Sequence, residues 1–235
     1  MRKFLLSVTL LSASVLFARN PDADMKVVDS GTFGIFQSGQ RVATETFRIE
    51  QNAIHSLTRS EIKSGDGTNE SSQSSELELL TNGDLVKYSW HELKPDKSDF
   101  TLAPDQQVLV QHYLGNKSSK DLPYILSAST SVLDDYFFIQ REVLAWRYLA
   151  GQCAASSPCA LTPTDFRVVI PHQHSSGTVH IEFKGREKVS IKGAETELNH
   201  LLLHADDLDW SLYLNDNQRL VKVEIPAQQT EAVRE

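Results

Sequence analysis

The stretch SVLDDYFFIQREVLAWRYLA, residues 131–150, decides how the chain is read. Asp134 suits an N-cap, because its carboxylate can accept hydrogen bonds from the first free backbone N–H groups. Gln140, Glu142 and Leu144 favour helix. Tyr136, Ile139 and Val143 fall on one stripe, with Phe137, Leu144 and Tyr148 beside it. Gly151 suits a C-cap. The spacing predicts an aromatic-rich amphipathic helix over about 132–150. Such a helix either plugs a core or lines a cavity.

Everything around it reads as strand. From Arg41 to Glu50 the residues alternate, with Val42, Thr44, Thr46 and Arg48 on one side and Ala43, Glu45, Phe47 and Ile49 on the other. Period two means a sheet with one buried face. Met25–Phe36 and Ala53–Lys63 flank this run, and Ser64–Ser75 reads as a polar loop. Ser75–Leu80 and Leu85–Trp90 meet across Asn82-Gly83, the pair preferred in a two-residue type I′ hairpin turn. Shorter runs follow at 108–110 and 122–126. After the helix come 165–170, 178–183, 188–191, 195–204, 210–214 and 220–225, with 231–234 as an edge strand or a tail. The expectation is a mainly β protein: an antiparallel sheet of about ten to twelve strands and one main helix. Residues 19–235 read as a single domain, with no repeat and no clean linker.

The first 18 residues, MRKFLLSVTLLSASVLFA, have a basic start, an apolar run and a small final residue. This is the build of a signal peptide cleaved near Ala18, with export to a periplasm or the exterior. The apolar run is too short for a comfortable membrane span, and the mature chain offers no transmembrane segment. Export gives meaning to the two cysteines, Cys153 and Cys159, in CAASSPC. An oxidising compartment favours a disulfide, and the spacing suits neither a C-x-x-C redox site nor zinc. The formal charge of −8, without a basic cluster, argues against nucleic acid and anionic membrane surfaces.

Histidine is the first place to look for chemistry. His172, His174, His180, His200 and His204 fall in the second half. His172 and His174 in H-x-H spacing are weak metal candidates, and Leu201-Leu202-Leu203 puts His200 and His204 on a strand, well apart. Asp206-Asp207-Leu208-Asp209 lacks the closing glutamate of a calcium loop. Asp134-Asp135 is explained by a helix start. No nucleophile elbow, phosphate loop or H-E-x-x-H motif occurs in the sequence. No catalytic residue and no cofactor is expected.

Three runs carry a resemblance. GTFGIFQSGQRVATETFRIE resembles the opening hairpin of exported bacterial proteins of unknown function, SVLDDYFFIQREVLAWRY resembles their helix, and WSLYLNDNQRLVKVEIP resembles their final hairpin. Those proteins are similar to the lipoprotein-carrier (LolA-like) fold. The resemblance implies a strongly curved antiparallel sheet, an open half-barrel, wrapped around helix, with an apolar interior and no catalytic residues. A sheet lined by Phe33, Phe47, Leu79, Tyr88, Phe166 and Ile181, crossed by a helix presenting Phe137, Leu144 and Tyr148, can leave a cavity. The first functional reading is a non-enzymatic exported domain that binds an apolar small molecule or lipid, or shields an apolar segment of a partner. The second is an envelope structural or protein-interaction module without a ligand. A metal-dependent hydrolase built on the histidine-rich half ranks last.

Mass spectrometry of the exported protein is expected to show a chain starting at Arg19, about 2 Da below its dithiol mass. A mass at the dithiol value contradicts the disulfide.

Overall fold

A computed structural model describes residues 24–65, 69–95, 97–115, 118–134, 137–153, 161–205 and 208–235. The strands are β1 (Lys26–Gln37), β2 (Gln40–Gln51), β3 (His55–Ser64), β4 (Ser71–Leu80), β5 (Leu85–Lys94), β6 (Ser98–Asp105), β7 (Val108–Gly115) and β8 (Ser118–Tyr124). After the two-residue β9 (Ser131–Val132) and the helix α1 (Ile139–Cys153) come β10 (Thr164–Ile170), β11 (Ser175–Ile191), β12 (Ala194–Ala205), β13 (Leu208–Leu214), β14 (Leu220–Ile225) and β15 (Thr230–Arg234). They form one curved, unclosed 15-stranded sheet ordered β8-β7-β6-β5-β4-β3-β2-β1-β15-β14-β13-β12-β11-β10-β9. Every neighbouring pair is antiparallel except β9–β10. The expected fold class holds, with more strands than the ten to twelve read from sequence.

Short connections explain the meander. Ser38 (φ 50) and Gly39 (φ 77) join β1 to β2, and Lys192 (φ 51) and Gly193 (φ 82) join β11 to β12. Positive φ at both central residues is the type I′ requirement, and it matches strand twist. The β4–β5 hairpin forms as expected, but its turn does not. Thr81–Asp84 make a longer loop closed by Leu80 N–H to Asp84 O at 2.8 Å, and only Gly83 (φ 87) is left-handed. Asn82 Oδ1 instead accepts the Asp84 N–H at 3.0 Å, an Asx turn that replaces the type I′ geometry.

Other departures have similarly local causes. β4 begins at Ser71, inside the expected loop, because Ser72 and Ser75 face inward although nothing in their composition advertises a strand. β6 carries Pro104 and two aspartates, which disguise it. The runs 178–183 and 188–191 are one strand, β11, that continues through an irregularity between Phe183 and Gly185. The helix starts at Ile139 and ends at Cys153, later than 132–150, because β9 takes Ser131 and Val132. Finally, β15 is neither edge nor tail. It lies between β1 and β14, with Gly34 opposite Val233 and Val223 opposite Ala232.

The sheet curls around α1. One core joins Phe33, Phe47, Ile49, Ile181, Leu201, Leu212 and Val223 to Ile139, Leu144, Ala145 and Tyr148 of the helix. A second joins Leu77, Tyr88, Phe100, Leu102 and Leu109 to Phe137 and to Val132 and Val169 from the opposite end of the sheet. Side-chain and backbone contacts bridge the two ends where strands do not. Gln111 Nε2 donates to Pro171 O at 3.3 Å, and Leu85 N–H to Ala128 O at 2.7 Å. His172 packs edge-on against Trp90 and Phe100, at 4.4 and 5.1 Å between centroids.

A chain ending at Gln229 loses a central strand and leaves β1 and β14 each with one bare edge inside the sheet. It is expected to show no cooperative thermal transition, read by circular dichroism. A retained sharp transition contradicts the central placement of β15.

Candidate functional site

The helix is enclosed at its start and open toward its end. Phe137 through Glu142 are all buried, charged residues included. That enclosure requires partners for the polar groups inside it. Asp134, expected as the N-cap, points elsewhere: its carboxylate accepts a hydrogen bond from Tyr88 Oη at 2.6 Å and pairs with His172 Nδ1. The cap comes from the sheet. Glu45 of β2 accepts the N–H of Phe138 at 2.8 Å and of Ile139 at 3.3 Å, and Ser60 Oγ donates to it at 2.7 Å. Burial pushes the Glu45 carboxyl up to about 7, against the pull of Ser60, the two helix N–H groups and Arg141. Arg141 donates to the carbonyls of Asp134 and Phe137 at 2.6 and 2.8 Å and lies 4.3 Å over the Trp210 ring.

A second polar cluster ties the helix to both chain ends. Arg234 of β15 holds Asp29 of β1 with two hydrogen bonds, at 2.6 and 2.9 Å, and its guanidinium lies 5.1 Å over Phe47. Gly31 makes room: a Cβ there would meet Phe47 and Arg234 at 3.1 Å. Glu142 accepts the Leu220 N–H at 2.8 Å, while its other oxygen has no donor within reach among the described residues. Burial and the Asp29 carboxylate push Glu142 up to about 9. It therefore carries a proton at neutral pH and donates to Asp29. Burial alone would raise Asp29, but the hydrogen bonds from Arg234 and Glu142 outweigh it and hold it below the ordinary value.

Beyond Leu144 the helix meets a groove. A cavity of about 660 Å³ lies between α1 and the ends of β3, β4 and β10. Its apolar wall includes Leu79, Val143, Trp146, Tyr148 and Phe166, and Gln51, Ser56, Gln152 and Thr164 add polar atoms. A smaller cavity of about 240 Å³ flanks the other side of the helix end at Leu149, Cys153 and Phe183. A third, of about 450 Å³, opens at the opposite mouth beside Phe138 and Trp210.

The residues expected to line a cavity thus divide. Phe33 and Phe47 stack at 5.1 Å, and with Tyr88, Phe137, Leu144 and Ile181 they are packed into core. Tyr148 is buried, donates to Thr162 O at 3.1 Å and forms the groove floor. Leu79 and Phe166 are half-buried on the groove wall. Sequence reasoning did not single out Trp146 and Arg147 of the same wall, nor Glu45, Asp29 and Arg234. Glu45 had a visible signal, since it shares the buried parity of Phe47 and Ile49. The others had none.

The histidines do not gather. His91–Asp99, His112–Asp121, His180–Asp165 and His204–Asp209 are pairs directly opposite across neighbouring strands, at 2.6 to 2.8 Å. These four are solvated, and such pairs add little stability. His174 is exposed, at a left-handed turn position (φ 50), while His172 turns inward. The two turns Pro171–Gln173 and Pro226–Gln228 share their geometry, yet Ala227 of the second is exposed. The turn itself therefore does not require His172; its contacts with Asp134 and Trp90 do. Among the described residues no group of three or more His, Cys, Asp and Glu could hold a metal ion. Cys153 closes α1, whereas Cys159, Asp135, Tyr136, Asp206 and Asp207 lie outside the described residues. No described helix is long and apolar enough to cross a membrane. No family model, curated protein or solved structure matches the chain.

The buried acids set a pH dependence. A carboxyl whose pKa is raised on folding adds stability that is complete below its unfolded value, near 4.5, and is lost as pH rises through the folded value. For Glu45 the window ends near 7, and for Glu142 near 9. Asp29, lowered on folding, acts in the opposite direction and only in acid. The midpoint of thermal unfolding is expected to fall by about 5 °C or more from pH 5 to pH 9. Glu142→Gln keeps a donor toward Asp29. It should match the wild type at pH 5 and exceed it at pH 9; a variant that tracks the wild type throughout contradicts the protonated pair.

Proposed function

We propose that this is an exported, non-enzymatic domain that holds an apolar molecule in the groove beside the C-terminal half of α1. The observation that carries the reading is the groove itself: about 660 Å³ flanked by Leu79, Val143, Trp146, Tyr148 and Phe166. That volume and lining are typical of sites for small apolar ligands, in which a few polar groups fix orientation. The buried cores support the reading, because they hold the sheet and the first half of the helix rigid without help from a ligand. The groove can then fill and empty without unfolding the domain. The signal-like first 18 residues and the likeness of three sequence runs to lipoprotein-carrier relatives point the same way.

Native mass spectrometry on protein from an exporting host, followed by denaturation and organic extraction, tests this. The expected result is one apolar molecule per chain, released on unfolding. Leu79→Trp, which fills the groove, should lose that mass while keeping a cooperative thermal transition. A wild-type chain with a bare polypeptide mass overturns the reading and favours an envelope interaction module.

A further inference from the structure

Among the described residues the groove wall holds one charged side chain, and it is a cation, Arg147, in a protein of formal charge −8. The guanidinium is held from three sides. Its Nη1 donates to Ser131 Oγ at 3.0 Å, the Phe166 ring lies 5.8 Å away, and its Nε rests over Gly83. A Cβ on Gly83 would come within 3.1 Å of that nitrogen, so the side chain fits because residue 83 has none. Among the described residues no carboxylate stands within salt-bridge distance of Arg147. Asp84, at the same turn, acts on it only at longer range and accepts a hydrogen bond from Asn82 at 2.8 Å.

The other arginines around the helix are answered differently. Arg234 has Asp29, and Arg141 has two backbone carbonyls. Arg147 has one hydroxyl for a fork of five donors, set among Leu79, Val143 and Phe166. A partly desolvated cation with spare donors, facing an apolar groove, is complementary to an anion carried on an apolar body.

We propose that the groove takes an amphiphile with a single anionic headgroup, a carboxylate or a phosphate monoester, paired with Arg147. The alkyl part lies against Leu79, Val143, Trp146 and Phe166. This rests on the groove being a ligand site and adds the ligand's chemical class. Neutral and cationic amphiphiles of equal chain length leave the guanidinium unpaired or repel it.

Isothermal titration calorimetry below the micelle threshold, on the mature chain at pH 8, compares decanoate, decyl phosphate, decanol and decyltrimethylammonium. Decanoate or decyl phosphate is expected to bind one per chain, about tenfold or more tighter than decanol. The stronger of the two anions identifies the headgroup, and the cationic probe should bind weakest. Arg147→Gln should erase the tenfold advantage of the anions over decanol, while Arg147→Lys keeps part of it. Anions and decanol binding alike, or an advantage that survives Arg147→Gln, overturns the headgroup assignment and leaves the groove standing. If none of the four binds, the groove reading falls and the headgroup assignment with it.

Discussion

The first turn of α1 is capped by a side chain 93 residues away in sequence, Glu45 on β2. A helix leaves its first backbone N–H groups without internal partners. When that end is buried among Phe137, Phe138 and Ile139, water cannot supply them. The sheet must therefore bring an acceptor inside, and it does so at a strand position that parity assigns to the core. Without Glu45 the buried N–H groups of Phe138 and Ile139 lose their acceptor, at a cost of about 1–3 kcal/mol each. The Glu45 contact thus fixes the buried start of α1 against β2.

The interior is polar where the helix is enclosed and apolar where it opens. Asp134, His172 and Tyr88 tie the loop before the helix to β5 and to the turn after β10. They join the two ends of a sheet that no strand pairing closes. Asp29, Arg234 and Glu142 tie the helix to the first and last strands. The first cluster lies just before α1 and the second meets its N-terminal half at Glu142. From Val143 onward one side of the helix stays in the core through Leu144, Ala145 and Tyr148, while half-buried Val143, Trp146 and Arg147 face the groove.

Much of this was legible in the sequence. The period-two run at 41–50 and apolar runs such as Leu201–Leu203 gave strands, and the break in that pattern at 131–150 gave the one main helix. Other features follow from interactions between distant residues that no local pattern contains. Asp134 looks like a cap in isolation, but tertiary contact with Tyr88 and His172 redirects it. Residues 231–234 look like an edge strand or a tail because nothing local reveals that they will pair with β1 on one side and β14 on the other. Asn82-Gly83 promises a tight turn, yet an Asx hydrogen bond to Asp84 selects a longer loop. The groove was the least legible feature. Phe33 and Ile181 cannot be told from Leu79 and Phe166 until the helix is in place and has filled part of the interior.

Residue-resolved amide hydrogen exchange along α1, with and without decanoate, tests the division between an anchored and an open half most directly. The Phe138 and Ile139 amides are expected to exchange only through global unfolding. Amides over residues 146–152 should exchange faster in the free protein and slow when decanoate is added. A helix that exchanges at one uniform rate, unchanged by decanoate, would contradict it.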